Sequence, residues 1–176
     1  MEVMKKLIYT LVAAISLDGR IAFNSRHLTN WTSKEDKDFL HKFLDRSDVV
    51  VVGNNTFKIA KTPLSKRNCV VFTRTVRGIS EKRSGLVYLN PGRTDLDKFL
   101  RAQGYRKVAV LGGEESYTYF LENNLLNEIY LTVEPVVFGG GLGVFSGRKI
   151  LRKDFELLSV KRLNRRGSLL LRYRRS

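Results

Sequence analysis

A chain of 176 residues with a single cysteine has the size of one domain and no internal disulfide. Its hydrophobic fraction of 43% suffices for a core, which excludes a disordered chain, and no run nears the ~20 apolar residues of a membrane span. The formal net charge is +15, and residues 148–176 hold eleven Lys and Arg against only Asp154 and Glu156. Such a surface attracts anions, whether small molecules or nucleic acid. A zinc-ligand set and a continuous basic helix are both missing, so specific nucleic-acid recognition is not expected. The apolar run after Met1–Lys6 soon meets Asp18 and Arg20, unlike a signal peptide, so a cytoplasmic protein is expected.

In chain order, Leu7–Ile15 reads as a first strand and Asp48–Gly53 as a second, followed by Cys69–Thr73, Gly85–Leu89 and Lys107–Leu111. Several are apolar on both faces, as buried parallel strands are. Helical stretches fall between them at Ser33–Ser47, Asn54–Ala60, Asp95–Gln103 and Gly113–Asn123, the last with Tyr117, Phe120 and Leu121 at helical spacing. The pattern changes after the apolar stretch Glu128–Phe138. Phe155–Leu163 and Ser168–Tyr173 then flank Asn164-Arg165-Arg166-Gly167, which predicts an antiparallel hairpin. The expected fold is α/β in three layers, with a mostly parallel central sheet closed by this C-terminal hairpin. Cys69, inside an apolar run, reads as a buried inert thiol.

One acid stands out on the helix Ser33–Ser47. At 100° per residue, Phe39, Leu40, Phe43 and Leu44 form its apolar stripe. Asp36 falls near the centre of that stripe, while Lys34, Lys37, His41, Lys42 and Asp45 point away. A carboxylate there needs a partner or a bordering pocket. The alternative is local: Ser33-Lys34-Glu35-Asp36 resembles a capping box, with Ser33 as N-cap and Asp36 reaching back to it. Trp31, just ahead of the helix, would form one wall of a pocket.

Two glycine junctions follow buried strands, Gly53-Asn54-Asn55-Thr56 and Gly112-Gly113-Glu114. Each opens a helix, where free N–H groups and the helix dipole favour phosphate. Two of them in one sheet suit a dinucleotide lying across the strand ends, although each alone also fits a tight turn. Arg74, ending the strand Cys69–Thr73, brings a guanidinium to the same edge, suited to an adenosine 2′-phosphate or simply solvated. Asp18-Gly19 reads as a loop near the cofactor or a plain turn. The cluster Gly139-Gly140-Gly141 with Gly143 marks a loop.

These pieces in this order resemble the dihydrofolate reductase superfamily, which includes the folate enzymes and the reductase domain of riboflavin biosynthesis. The resemblance covers nearly the whole chain, as one domain over 1–176. It rests on Ala14-Ile15-Ser16-Leu17-Asp18-Gly19-Arg20-Ile21-Ala22, Val52-Gly53-Asn54-Asn55-Thr56-Phe57, Val110-Leu111-Gly112-Gly113 with Tyr117, and Tyr130-Leu131-Thr132. The first segment and Pro135-Val136-Val137-Phe138-Gly139-Gly140-Gly141 are closer in style to the riboflavin branch.

The resemblance implies NADPH as cofactor, held by Ala14, Gly53, Asn54, Thr56, Thr73, Arg74, Gly112, Gly113 and Tyr117. In the folate branch a tryptophan precedes the substrate-binding acid by five positions, as Trp31 precedes Asp36. Asp36 would then be the catalytic acid, supported by Thr132, with Leu40, Ala60 and Leu111 around the substrate. Arg67 would grip an α-carboxylate on the substrate's tail, and is equally compatible with the riboflavin branch as a ligand of the substrate phosphate. The loop Asn24–Asn30 lacks the folate branch's chemistry, and Asn54 stands where that branch has a basic residue. In the riboflavin branch a glutamate usually precedes the double glycine, where this chain has Leu111. On Leu111 and Asp36, the expected reaction is NADPH-dependent reduction of dihydrofolate to tetrahydrofolate, by a monomer or homodimer. The alternatives are a riboflavin-type reductase of a ribosylamino-pyrimidine phosphate and a non-catalytic protein binding nucleic acid through its basic hairpin.

Overall fold

The computed structural model describes residues 6–27, 29–147 and 149–176; Leu28 of the loop Asn24–Asn30, and Arg148 at the head of the basic tail, lie outside them. Five strands run parallel at the centre: β1 (Ile8–Ile15), β3 (Val49–Gly53), β4 (Cys69–Phe72), β6 (Leu86–Leu89) and β7 (Lys107–Leu111). β8 (Leu126–Val133) continues them, parallel to β1. The hairpin β10 (Phe155–Arg162) and β11 (Leu169–Arg175) closes one side antiparallel to β8, and β5 (Ile79–Arg83) closes the other antiparallel to β6. The sheet order is β10-β11-β8-β1-β7-β3-β4-β6-β5, with β2 (Arg20–Ala22) and β9 (Leu142–Gly143) as a separate small pair. The expected α/β fold, mostly parallel with an antiparallel C-terminal hairpin, is the fold observed.

Burial follows from the sequence of each strand. The four valines of β3 and all of Cys69–Phe72 are buried, because helices cover both faces of the sheet there. One core packs α4 (Leu96–Ala102) and α5 (Glu114–Glu122) on one face, through Leu100, Tyr117 and Phe120. The other packs α1 (Lys34–Asp45), α2 (Asn54–Ile59) and the single turn α3 (Lys61–Leu64) on the opposite face, through Leu44, Phe57 and Leu64. Cys69 is buried, and burial pushes its thiol up to about 11. Among the described residues no helix is long and apolar enough to cross a membrane.

The short elements β2, α3, β5 and β9 lay outside the predicted set. β5 reads Ile-Ser-Glu-Lys-Arg and is mostly exposed, so it lacks the apolar pattern that marks a strand.

Candidate active site

The C-terminal ends of β1, β3 and β7 open into a cleft of about 990 Å³. β3 and β7 are neighbours, with Val52 beside Leu111, and the Gly53 N–H donates to the Gly112 carbonyl at 2.8 Å. The two glycine junctions therefore meet. A Cβ on Gly53 would lie 2.8 Å from Ser116 Oγ, and one on Gly113 would lie 3.3 Å from Thr56 Oγ1. Gly112 has φ +36, and a Cβ there would meet the Tyr117 hydroxyl at 3.3 Å and its ring at 3.4 Å. Backbone alone fits between these elements, so the helix starts of α2 and α5 approach one another without side chains between them. The Gly112–Gly113 peptide bond is cis.

Tyr117 lines the cleft but is buried, and its hydroxyl donates to the Val12 carbonyl at 2.7 Å. Burial holds its pKa far above the ordinary tyrosine range. Its role in the fold is thus to tie α5 to β1. Ala14, Asn54, Thr56, Thr73 and Arg74 also line the cleft, with Arg74 exposed and the Thr73 hydroxyl 3.0 Å from that of Thr75.

The α1 side of the cleft carries Trp31, Thr32, Asp36, Lys37, Leu40 and His41, facing Ala60 on the α2 side and Leu111 at the end of β7. Asp36 is only 7% exposed. Burial raises its pKa; the Thr132 and Thr32 hydroxyls oppose that rise, and the carboxylate of Glu134 adds to it. Thr132 does not line the cleft; it lies beneath, 1% exposed, in a row across three strands between Ala14 and Leu170. Lys37 and His41, one helical turn apart, both line the cleft, although the helical wheel turned them away. The cleft is wide enough to take in the flank of α1 as well as its apolar stripe.

The two readings of Asp36 are separated by Ser33. Its hydroxyl accepts from the Asp36 N–H at 3.3 Å, so Ser33 is the N-cap. In a reciprocal box the Asp36 carboxylate would accept the Ser33 N–H. That N–H instead donates to Glu134 Oε1 at 2.8 Å, as does the Ser33 hydroxyl at 2.7 Å. Half a capping box is present, and the acid is left on the cleft wall. Glu134 was not singled out from the sequence; a charged residue directly before Pro135, at the end of an apolar strand, is the signal that marks it.

Arg67 stands outside the cleft lining. Its guanidinium is committed to Asp45 and to the Pro63 carbonyl. The tail-gripping role expected of it is therefore corrected: the side chain is spent on joining α1 to the α3 turn.

An aromatic lip borders the cleft. Phe23 stacks on His27 at 4.0 Å, and the Phe138 ring meets Phe23 at 4.4 Å and Trp31 at 4.8 Å. Asp18 pins this lip by accepting the Phe138 and Gly139 N–H groups at 3.0 and 2.9 Å. The Ser16 hydroxyl and these N–H groups hold the Asp18 carboxyl down at about 2. Asp18 therefore acts as a loop staple rather than as a group facing the cleft.

Much of the basic hairpin is engaged within the fold. Arg172 pairs with Glu128, Arg174 with Glu156, Arg162 donates to the Asn164 and Arg165 carbonyls, and Arg175 donates to that of Asn124.

Comparison with known proteins agrees with this geometry. Residues 8–167 match the RibD C-terminal domain. The chain is 26% identical over 143 residues to the uncharacterized protein YwjB of Bacillus subtilis, covering 77% of this chain and 80% of that one. A pyrimidine reductase-like protein of Corynebacterium diphtheriae superposes with a TM-score of 0.77 at 12% identity, over 97% of this chain and 92% of the other. A deaminase/5-amino-6-(5-phosphoribosylamino)uracil reductase of Thermotoga maritima also gives 0.77, at 18% identity, over 97% of this chain and 57% of that larger protein. At these identities the two structures establish the fold. The domain match overturns the expected reduction of dihydrofolate, and with it the assignment to tetrahydrofolate synthesis. The physical ground agrees: Arg67, the group the folate reading needed for the substrate's tail, is occupied elsewhere, and an apolar Leu111 beside an acid does not select a pteridine. The chain is a dihydrofolate-reductase-like protein that belongs to the RibD C-terminal domain family.

Proposed function

We propose that the protein is a nicotinamide-dependent reductase of the riboflavin-pathway type, converting the phosphoribosylamino group of a pyrimidine to its open-chain ribitylamino form. The observation that carries this reading is one buried acid, Asp36, on the wall of a cleft whose far side is built from side-chain-free strand ends.

The residues present suit NADPH. Gly53, Gly112 and Gly113 leave backbone open to a pyrophosphate, and α5 begins there without a side-chain cap, at the end of the helix dipole that favours an anion. Glu114, in that first turn, turns its carboxylate to the Gly143 N–H at 3.1 Å and thereby holds the β9 loop. Thr56 and Thr73 offer hydroxyls, and exposed Arg74 suits a 2′-phosphate, which favours NADPH over NADH. When bound, the cofactor supplies a hydride.

The chain's own contribution is a proton and its placement. Opening the ribosyl ring breaks the C1′–O4′ bond, puts a proton on O4′ while the glycosidic nitrogen gives up its own, and leaves a C1′=N imine. Reduction then adds one hydride at C1′ and one proton at nitrogen. Asp36, whose pKa burial raises above the ordinary aspartate value, is the group that delivers a proton to the substrate, with Thr132 and Thr32 fixing its orientation. Lys37 and His41 at the mouth are suited to the substrate phosphate.

The test is NADPH oxidation by the purified protein with 5-amino-6-(5-phosphoribosylamino)uracil. Turnover that falls about 10²-fold or more in Asp36→Asn is expected. No turnover in the wild type, or full turnover in that variant, would overturn the reading.

A further inference from the structure

The reading of Asp36 as the acid of the site raises a question of mechanics: what keeps a carboxylate in the third position of a helix from folding back onto the helix's own N-terminus? We propose that Glu134 is the positioning residue of Asp36: by taking the Ser33 N–H, it removes the hydrogen bond that would draw Asp36 out of the cleft.

The contacts support this from both ends. Glu134 follows the last residue of β8, and its own N–H donates to the Ile15 carbonyl at 2.8 Å, which fixes its backbone to the end of β1. Glu134 is 4% exposed. One carboxylate oxygen takes both donors of Ser33, and the other takes the Ser168 hydroxyl. Ser168 is fully buried, and Asn164 holds it by donating to its hydroxyl at 2.9 Å and accepting its N–H at 3.2 Å. Asn164 also donates to Glu35 at 3.3 Å. The turn of the C-terminal hairpin is thus bolted to the first turn of α1 through one buried carboxylate.

If Glu134 is deleted, the Ser33 N–H becomes an unpaired donor at a helix start. The nearest acceptor with the right spacing is the Asp36 carboxylate, completing the capping box. Asp36 would then rotate towards the helix N-terminus and away from the cleft. The groups around Asp36 are Thr32 ahead of the helix, Lys37 on it, Thr132 on β8, Glu134 at the exit of β8, and Tyr117 on α5. Among them, Glu134 is the group that accepts the Ser33 N–H.

The experiment is a carboxyl-carbon NMR titration of Asp36 in the ligand-free full chain, with Asp36→Asn to assign the resonance. In Glu134→Gln the amide oxygen still accepts from Ser33, so Asp36 stays on the cleft wall and titrates above an ordinary aspartate. In Glu134→Ala the capped carboxylate titrates lower than in the Gln variant by about one pH unit or more. The turnover number falls with it, while the KM for NADPH does not move. Ser168→Ala, a milder change that loosens Glu134 from one side, lowers the Asp36 midpoint by less. Equal midpoints in the Ala and Gln variants, both of which lack the Glu134 charge, would overturn the proposal. If Glu134→Ala fails to fold, an unchanged midpoint in Ser168→Ala does so. The titration needs no substrate, so a wild type inactive on the pyrimidine but showing this order of midpoints would sink the functional reading and leave the positioning role standing.

Discussion

Glu134 and Asp36 compete for one helix N-terminus, and Glu134 holds the contested Ser33 N–H at 2.8 Å. The two carboxylates come from elements about a hundred residues apart, the exit of β8 and the first turn of α1. Their division of labour separates a structural acid, fully bonded, from an acid with spare capacity on a cleft wall. The same relationship adds like charge to Asp36, on top of the larger effect of burial.

Asp36→Asn should stabilise the protein at neutral pH. The folded-state pKa of Asp36 is raised above the ordinary 3.8, so the native chain binds its proton more tightly than the unfolded chain. Stability is then lost as pH rises from 3.8 through the raised value, while below 3.8 both states are protonated and the effect vanishes. An asparagine removes that loss, so the variant gains stability at pH 7 and the gain closes towards pH 4. Thermal melts of both proteins at the two pH values check this; a variant less stable at both would contradict it.

Gly53→Ala should damage cofactor binding. Its Cβ would stand 2.8 Å from Ser116 Oγ at the junction of the two helix starts, so α2 and α5 must move apart. The KM for NADPH is expected to rise about tenfold, as small displacements at a site are costly. Ser116→Ala in the same chain removes the clashing hydroxyl and should recover most of the loss. No recovery would locate the damage elsewhere.

Lys37→Ala and Arg67→Ala should separate cleanly. Lys37 lines the cleft, and its loss is expected to raise the KM for the phosphate-bearing pyrimidine about tenfold, in keeping with a charge-assisted bond. Arg67 is paired with the largely exposed Asp45, so its loss costs at most about 1 kcal/mol of stability and leaves that KM unchanged. Steady-state kinetics varying the pyrimidine decide between them, and an Arg67 effect larger than that of Lys37 would reverse the assignment.

The strands that carry the site were legible because β3, β4 and β7 are apolar on both faces, and the hairpin because Asn164–Gly167 interrupts an alternating pattern. The glycine junctions were legible as junctions, though not as neighbours, since strand order is set by crossovers that a single sequence does not display. Asp36 could be found by its place on the helical wheel, but not the reason it faces the cleft, because Glu134 lies a hundred residues away. Arg67 misled for a related cause. Its spacing suited a clamp, while its partner Asp45 was visible only as a solvated helix residue until folding brought the two together.

The row Ala14–Thr132–Leu170 carries a consequence for how the molecule matures. β1 is synthesised first, yet its neighbours β7 and β8 emerge roughly a hundred residues later, so the central pairing waits on distant sequence. The hairpin comes later still, and its turn residue Ser168 is a bolt on Glu134. A nascent chain arrested before residue 168 would have its glycine junctions and most of its sheet, with β8 as a bare edge inviting other strands. The bulk of the architecture is therefore in place before β11 arrives, and the hold of Ser168 on Glu134 comes only with the hairpin.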